Sequence, residues 1–589
     1  MLLVHIYIRE HRSFKNVNIP LNGSFDCAVE EGIITLHKKD DTSQFYHQHY
    51  CSALVGPNGI GKSTVLDFIE RLVTPNVASG IAIFYDSQSN TFHLCFKNTP
   101  NEEGILVTSD CHFKMNKDAK KFIEDNNIHL VRINNISADL DVLSLVSSPV
   151  HKNVYDCSRN KISNNIGQRS DYLNKLFSYF RSADGVARYI ETVYYEILFK
   201  SSPRYLLDSI LSCPMPEECQ VTLAGWAGSY TPVVLSSHEI ERGKGAIFQR
   251  LLEMNLISIL GALCNIDGSR DIILPFLLYR FVKLDSVSPF SLNMKHKLEI
   301  VTSPDERFEI PPDLRSSLNV KKMVSSKDVM GTIQKFLSSD ETNDTLNDIF
   351  VSFGELSENI DNYSGGFSED ADNHFRLNDF YAAEKIFDAI KQLDKDISVN
   401  FKCGWRGISS GEFARLHIFS ENFNYLNMQK EKVKSIYLLD EIDLYLHPEW
   451  QRTFLSDFLS QLQTIEATSV AGKPQIILTT HSPVIISDFI SDDIVAFRRK
   501  EDDEYSQEYD EIIIGKSAGF GNPIADVYMD GMHLKSTFGE LSRRKIDSLI
   551  QQAKQVGNGG EWSEYDRRLI DKIDNCHFKN YLKNHAKNK

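Results

Sequence analysis

With 589 residues, 42% of them hydrophobic, the chain has the length for roughly two to four domain-sized units with real cores, which excludes a disordered protein. Its 64 Lys and Arg against 80 Asp and Glu leave a formal net charge of −16, so attraction of nucleic acid by the surface as a whole is excluded and any such contact needs a local patch or a partner. The longest apolar runs, LISILGALCNI at 256–266 and IILPFLLY at 272–279, fall short of the roughly 20 residues of a membrane helix, and MLLVHIYIREHRSF carries charges where a signal peptide is apolar. The expectation is a cytoplasmic protein with no membrane contact. Ten scattered cysteines, none at CxxC spacing, predict neither a zinc site nor a disulfide framework.

In chain order, LLVHIYIRE and FKNVNIPL alternate apolar and polar residues about a turn, which predicts a hairpin. HYCSALVG predicts a buried strand running into a glycine loop and the helix KSTVLDFIERLV. A second hairpin is expected at GIAIFYDSQSNTFHLCF, turning at DSQSN. From about 140 to 400 the spacing becomes helical, as in RSDYLNKLFSYFRSA and FYAAEKIFDAIKQLDKD, with polar loops between. From 401 strands and helices alternate again: a helix at SGEFARLHIFSENFNYL, the strand SIYLLDE, the helix PEWQRTFLSDFLSQLQ and the strand QIILTTH. Such alternation predicts an α/β fold with a mainly parallel sheet covered by helices. The expected divisions are a first lobe over 1–140, a mainly helical insertion over 141–400, a second lobe over 401–500 and a C-terminal hairpin with a helical tail over 501–589. The acidic run EDDEYSQEYDE at 501–511 reads as a solvated hairpin tip.

GPNGIGKS at 56–63 matches GxxxxGK[ST] between a strand and a helix, the context that gives the pattern meaning. Gly56, Pro57, Asn58, Gly59, Ile60 and Gly61 form the loop whose glycines would let backbone N–H groups turn inward around phosphate oxygens, with Thr64 in the first helical turn and the helix N-terminus adding partial positive charge. Lys62 would reach the β- and γ-phosphates and the Ser63 hydroxyl would bind Mg²⁺, so ATP and Mg²⁺ are the expected ligands. SIYLLDE ends a buried strand in two carboxylates, Asp440 to hold the magnesium shell and Glu441 to polarise an attacking water. His481, at the end of QIILTTH, stands where an imidazole could donate to the γ-phosphate; a lone histidine is otherwise a structural one. The turn Ser409-Ser410-Gly411-Glu412 at the mouth of a helix is, taken alone, ordinary N-cap chemistry.

The order of these pieces resembles the ABC-type ATPases, the class of transporter cassettes, SMC and Rad50-like proteins and OLD-like defence ATPases. The resemblance implies an ABC-type P-loop ATPase with a mixed sheet core and N-terminal antiparallel hairpins. GISSGEF is similar to the signature motif of that class, which caps the γ-phosphate of ATP held by a second subunit; Ser409, Ser410, Gly411 and Glu412 would then act in trans within a homodimer or higher oligomer. IREHRSFKNVNIPL, DEIDLYLHPEWQ and THSPVIISD narrow the resemblance to the PtuA-type ATPases of Septu and retron-associated antiviral systems. FGNPIADVYMDG and the terminal helices resemble the end of that group more loosely. The middle third carries no diagnostic motif.

Some positions depart from the wider class. Ser410 and Glu412 stand where transporter cassettes have Gly and Gln, and His447 stands where many cassettes have an aspartate. For a lid-sensing residue, Gln88 in a hairpin turn and the pair Asn134 and Asn135 are equal candidates. Arg12, in EHRSF, is either near the nucleotide, as the family pattern implies, or an exposed turn arginine. The 108 residues after His481 hold no TOPRIM arrangement and no HNH core is visible, so any nuclease is expected on another chain. The resemblance implies an HNH nuclease partner (PtuB-like), with a retron reverse transcriptase and its DNA as a wider setting and nucleic acid met through partners. The basic end, with Lys579, Lys583, Lys587 and Lys589, is either a contact for such partners or a solvated terminus. The alternatives are a Rad50/RecF-like DNA repair ATPase and a slowly hydrolysing ATP-binding scaffold.

Overall fold

The computed structural model describes residues 1–30, 32–99, 105–135, 150–159, 166–182, 194–199, 217, 221, 246–264, 270–287, 293–304, 326–363, 374–377, 380–398, 400–406, 408–429, 433–466, 473–499, 512–531, 538–557 and 562–585. The acidic run at 501–511 and the lysines at 587 and 589 lie outside the described residues. The chain forms two compact units, one from residues 1–163 and 410–589, the other from 164–409.

The first unit is organised by a seven-stranded sheet. Its order is Val154–Asp156, Ile128–Asn134, Lys434–Asp440, Gln475–Thr479, Tyr50–Val55, Ile494–Arg499 and Ile512–Gly515, parallel throughout except for the last pair. Central strands such as YLL and IIL are apolar on both faces because helices and a second sheet cover them. Leu54, Ile436, Leu438 and Ile477 pack with Leu66 and Ile69 of the helix Lys62–Arg71 and with Ile6 and Ile8 of the first strand. That first strand, Leu2–His11, pairs antiparallel with Phe14–Pro20 and with Ser79–Asp86, which in turn pairs antiparallel with Thr91–Lys97. A small sheet joins Phe25–Glu30, Ile33–Lys38 and Leu106–Ser109.

The two units divide the chain at 163/164 and 409/410, where the sequence expectation placed divisions at 140/141 and 400/401. The first segment of the first unit runs past 140, because Val154–Asp156 adds a parallel strand beside Ile128–Asn134. The other unit begins its sheet with YYEILF and ends it with FKCGWR, runs too short to reveal a helical or strand period. There Tyr194–Phe199 pairs antiparallel with both His374–Leu377 and Phe401–Arg406. Its helices include Ala246–Leu263, Arg270–Val287, Asp340–Tyr363 and Phe380–Gln392. Asn400 Nδ2 donates to Asn255 Oδ1 and Ser258 Oγ, both at 2.8 Å, so the nitrogen of this buried amide is paired.

The helices Glu540–Gly557, Glu564–Asp571 and Cys576–His585 close over a separate small cluster of Leu549, Ala553, Trp562, Ile570 and Leu582. No described helix is long and apolar enough to cross a membrane.

Candidate nucleotide-binding site

Register puts the chemistry at the carboxyl ends of adjacent parallel strands. Asn134 lies opposite Asp440, Leu439 opposite Leu478, and Thr479 opposite Leu54, so the ends of four strands meet where open α/β sheets commonly bind ligands. The loop leaving Val55 turns through Gly56, Gly59 and Gly61 at φ of +146°, +74° and +107°. Gly56 also needs its missing side chain, because a Cβ there would meet the Phe497 carbonyl oxygen at 2.7 Å; one at Gly61 would meet the Phe14 ring at 2.6 Å. Ile60 is buried in the core and anchors the loop, whereas Asn58 and Gly59 are exposed at its tip. Thr64 N–H donates to the Gly61 carbonyl at 2.9 Å as the helix begins, and no acidic side chain occupies the first turn to compete with an anion.

Lys62 is buried, and its Nζ donates to the carbonyl oxygens of Gly56 at 3.0 Å and Pro57 at 3.1 Å. Burial lowers its pKa, opposed by the nearby carboxylates Glu441, Asp440 and Asp443. Ser63 Oγ donates to Asp440 Oδ1 at 2.9 Å. That same carboxylate oxygen accepts from Thr479 Oγ1 at 2.7 Å, and Oδ2 accepts from Arg132 Nη2 at 2.7 Å. Arg132 Nη1 donates to Glu70 Oε2 at 2.9 Å, so a buried ion triad joins the helix Lys62–Arg71 to two strands. Burial opposes the Arg132 charge, yet Glu70 and Asp440 outweigh it and raise its pKa.

Glu441 follows at φ +48°, left-handed for a residue with a side chain. Its N–H donates to Thr479 Oγ1 at 2.8 Å, while among the described residues its carboxylate enters no hydrogen bond or ion pair. Burial and then the charge of Asp440 raise its pKa, against the pull of Lys62. His481 lies two residues past the end of its strand, in the loop. Its N–H donates to Asp443 Oδ1 at 3.1 Å, and Thr480 Oγ1 donates to the same oxygen at 2.7 Å. Burial, then Lys62, lowers the His481 pKa, which favours a neutral ring.

The remaining candidates separate from this group. Arg12, at φ +53°, is 40% exposed and pairs with Asp67 at 2.9 Å, alongside His11 at 2.9 Å. It is thereby tied to the second turn of the helix Lys62–Arg71. Gln88 is an exposed turn residue whose N–H donates to Asp86 Oδ1 at 3.2 Å. Asn135, by contrast, donates to the carbonyl oxygens of Ile442 at 3.4 Å and Leu444 at 3.3 Å, against the loop that follows Glu441. His447 is exposed, with its ring 6.3 Å from that of Trp450.

Ser409 and Ser410 are exposed at the start of the helix Ser410–Met428, with Glu412 in its first turn. Gly411 is buried, and a Cβ there would meet the Tyr445 carbonyl oxygen at 2.6 Å and the Trp450 ring at 3.0 Å. The motif's glycine therefore packs on the loop after Glu441, not on the phosphate loop. The Arg159 guanidinium lies 4.7 Å from the Phe413 ring and 5.5 Å from the Tyr445 ring, joining the same two segments.

The sequence reading missed Arg132, Glu70, Thr479 and Asp443. Arg132 left one signal, a single charge inside the apolar strand IHLVRIN, since a buried charge must be paired.

The residues present fit a triphosphate with Mg²⁺: a loop with three glycines at positive φ, one lysine, and a hydroxyl and a carboxylate already in contact. A family model described as "AAA domain, putative AbiEii toxin, Type IV TA system" matches residues 425–487, which include Asp440, Glu441 and His481. No curated protein matches the chain. The match, beside the glycine loop, supports a P-loop ATPase, and the family's description sets it in a toxin–antitoxin context.

Proposed function

We propose that the chain binds ATP with Mg²⁺ and hydrolyses it to ADP and phosphate. The observation that carries this reading is the contact between Ser63 and Asp440, with Lys62, Glu441 and His481 around it at the ends of adjacent strands. Bound Mg²⁺, held through Ser63 and Asp440, would supply charge neutralisation at the β- and γ-phosphates. Lys62 would bind those phosphates through its ammonium group. Glu441, unpaired and with a raised pKa, orients water for in-line attack on the γ-phosphorus and accepts its proton. His481, neutral, donates to a γ-phosphate oxygen.

By the resemblance of GISSGEF, Ser409 to Glu412 complete the site of a second copy in a head-to-tail dimer. By that of DEIDLYLHPEWQ and THSPVIISD, the dimer is the ATPase subunit of an antiviral defence complex. There it assembles and regulates a separate HNH nuclease, either on its own or within a retron. The test is ATP turnover by the purified chain with Lys62→Ala and Glu441→Gln beside it. Lys62→Ala should lose nucleotide binding, and Glu441→Gln should keep binding while turnover falls roughly 100-fold or more. Turnover by Glu441→Gln at the parent rate would remove Glu441 as the base. Co-purification with a nuclease, read by mass spectrometry, tests the complex.

A further inference from the structure

Thr479 is wholly buried, and its one hydroxyl serves two residues at once. Oγ1 accepts the Glu441 N–H at 2.8 Å and donates its own proton to Asp440 Oδ1 at 2.7 Å. A hydroxyl is the smallest group that can do both, since it carries one donor and two acceptor lone pairs. The Thr479 carbonyl adds a longer contact, accepting from Ile442 N–H at 3.4 Å. Three successive residues of the chain therefore lean on one side chain and its backbone.

Glu441 needs such support. At φ +48° its backbone sits where L-residues with side chains are disfavoured, and a conformation of that kind persists only where the surroundings over-determine it. If the Glu441 peptide relaxed to an extended conformation, its carboxylate would swing away from Lys62. Thr479 is also well placed to resist this. It lies in register with Leu54 on the strand that feeds the glycine loop, and its neighbour Leu478 pairs with Leu439. Its β-branch restricts χ1, so the hydroxyl is presented in a fixed direction. Asp440 meanwhile has both oxygens engaged, one by Ser63 and Thr479 and the other by Arg132, so its plane is set from three sides.

From this arrangement we infer that Thr479 is a positioning residue for hydrolysis, whose hydroxyl holds Glu441 in its left-handed backbone conformation while fixing the orientation of Asp440. Its hydroxyl is taken up by the Glu441 N–H and the Asp440 carboxylate, so it acts through those two residues. The inference rests on the reading of Asp440 and Glu441 as the hydrolytic pair. Ser63, which shares Asp440 Oδ1, ties that carboxylate to the phosphate loop; Thr479 ties it to the glutamate.

The experiment compares Thr479→Val, which keeps the shape and removes the hydroxyl, with Thr479→Ser, which keeps the hydroxyl and removes the methyl. Four quantities are read: kcat, KM for ATP, affinity for a fluorescent ATP analogue without Mg²⁺, and amide hydrogen exchange over residues 440–443. Thr479→Val should lower kcat by roughly 10- to 100-fold, the usual effect of losing an outer-shell support, with KM and analogue affinity within about threefold of the parent. Amide exchange at 441 should rise about tenfold or more as the N–H loses its acceptor. Thr479→Ser should recover kcat to within about threefold and restore the exchange protection.

Parent kcat in Thr479→Val overturns the inference. So does an equal defect in Thr479→Ser, or a Val variant that loses analogue binding and kcat together, which would make the residue merely structural. If the parent protein itself fails to hydrolyse ATP, the proposed function fails; the amide exchange of the two variants still decides whether the hydroxyl holds Glu441.

Discussion

Arg132 and Asp440 form a buried ion pair at 2.7 Å across the neighbouring strands that end at Asn134 and Asp440. Glu70 completes the triad from the helix behind the phosphate loop, and all three side chains are almost wholly removed from water. A buried pair gains little over an apolar replacement, but removing one partner strands the other charge. Arg132→Ala leaves the buried Glu70 and Asp440 carboxylates without the guanidinium that joins them. It should therefore cost about 3–5 kcal/mol of unfolding free energy, read from the urea midpoint at pH 7. Arg132→Lys should recover only part of this, since an ammonium cannot reach two carboxylates with the fixed fork of a guanidinium. Full recovery by lysine would mean that charge alone matters here.

Acid should destabilise the protein well above the carboxylate range. Burial lowers the pKa of His5, His49 and His129 to about 4 each. Below the unfolded value of about 6.5, the unfolded chain takes up protons that the folded one refuses, so this stability is present above 6.5 and is lost as pH falls toward 4. His5, the most deeply buried of the three, accounts for roughly 3 kcal/mol over that window, and His49 and His129, more screened by solvent, for less. Asp493 works the other way. Burial raises its pKa to about 6, so its contribution is full below about 3.9 and is lost as pH rises through 6. The histidines outweigh it. Urea midpoints should drop between pH 7 and 4.5, and Asp493→Asn should make the drop steeper by removing one opposing aspartate; Asp488, also raised to about 6 by burial, is another.

The segments that carry motifs were legible because each combines an apolar period with punctuation. IYLLDE is a buried strand that stops at two carboxylates, and SSGEFARLHIF is a cap followed by a helix. What could not be read was adjacency. Thr479 follows Asp440 by 39 residues and Arg132 precedes it by 308, and nothing local to either says which strand lies beside which. Strand order sets those contacts, and it depends on long-range packing rather than on the period of any one segment. Gln88, in a hairpin turn, and the pair Asn134 and Asn135 stayed equal for the same reason: only long-range packing shows that Asn135 abuts the loop after Glu441. Gly411 was read as a phosphate-capping glycine, while its contact with Tyr445 adds a packing reason for the same residue.

That double role gives the signature motif two separable tests. A side chain at Gly411 must displace the Tyr445 carbonyl, which it would meet at 2.6 Å, or the Trp450 ring at 3.0 Å. Tyr445 already sits at φ +67°, so the loop after Glu441 has little slack to absorb the change. Gly411→Val should therefore lower both the melting temperature and kcat, by roughly 1–3 kcal/mol of stability, even if this chain acts alone. Ser410 is exposed at the start of its helix. Ser410→Arg should leave folding and ATP-analogue affinity within about twofold of the parent while abolishing ATP-dependent dimerisation, followed by light scattering with Glu441→Gln in the background. If the Ser410→Arg protein dimerises with ATP as the parent does, the turn is a helix cap and the signature role in trans is withdrawn; the packing of Gly411 on Tyr445 would stand unchanged.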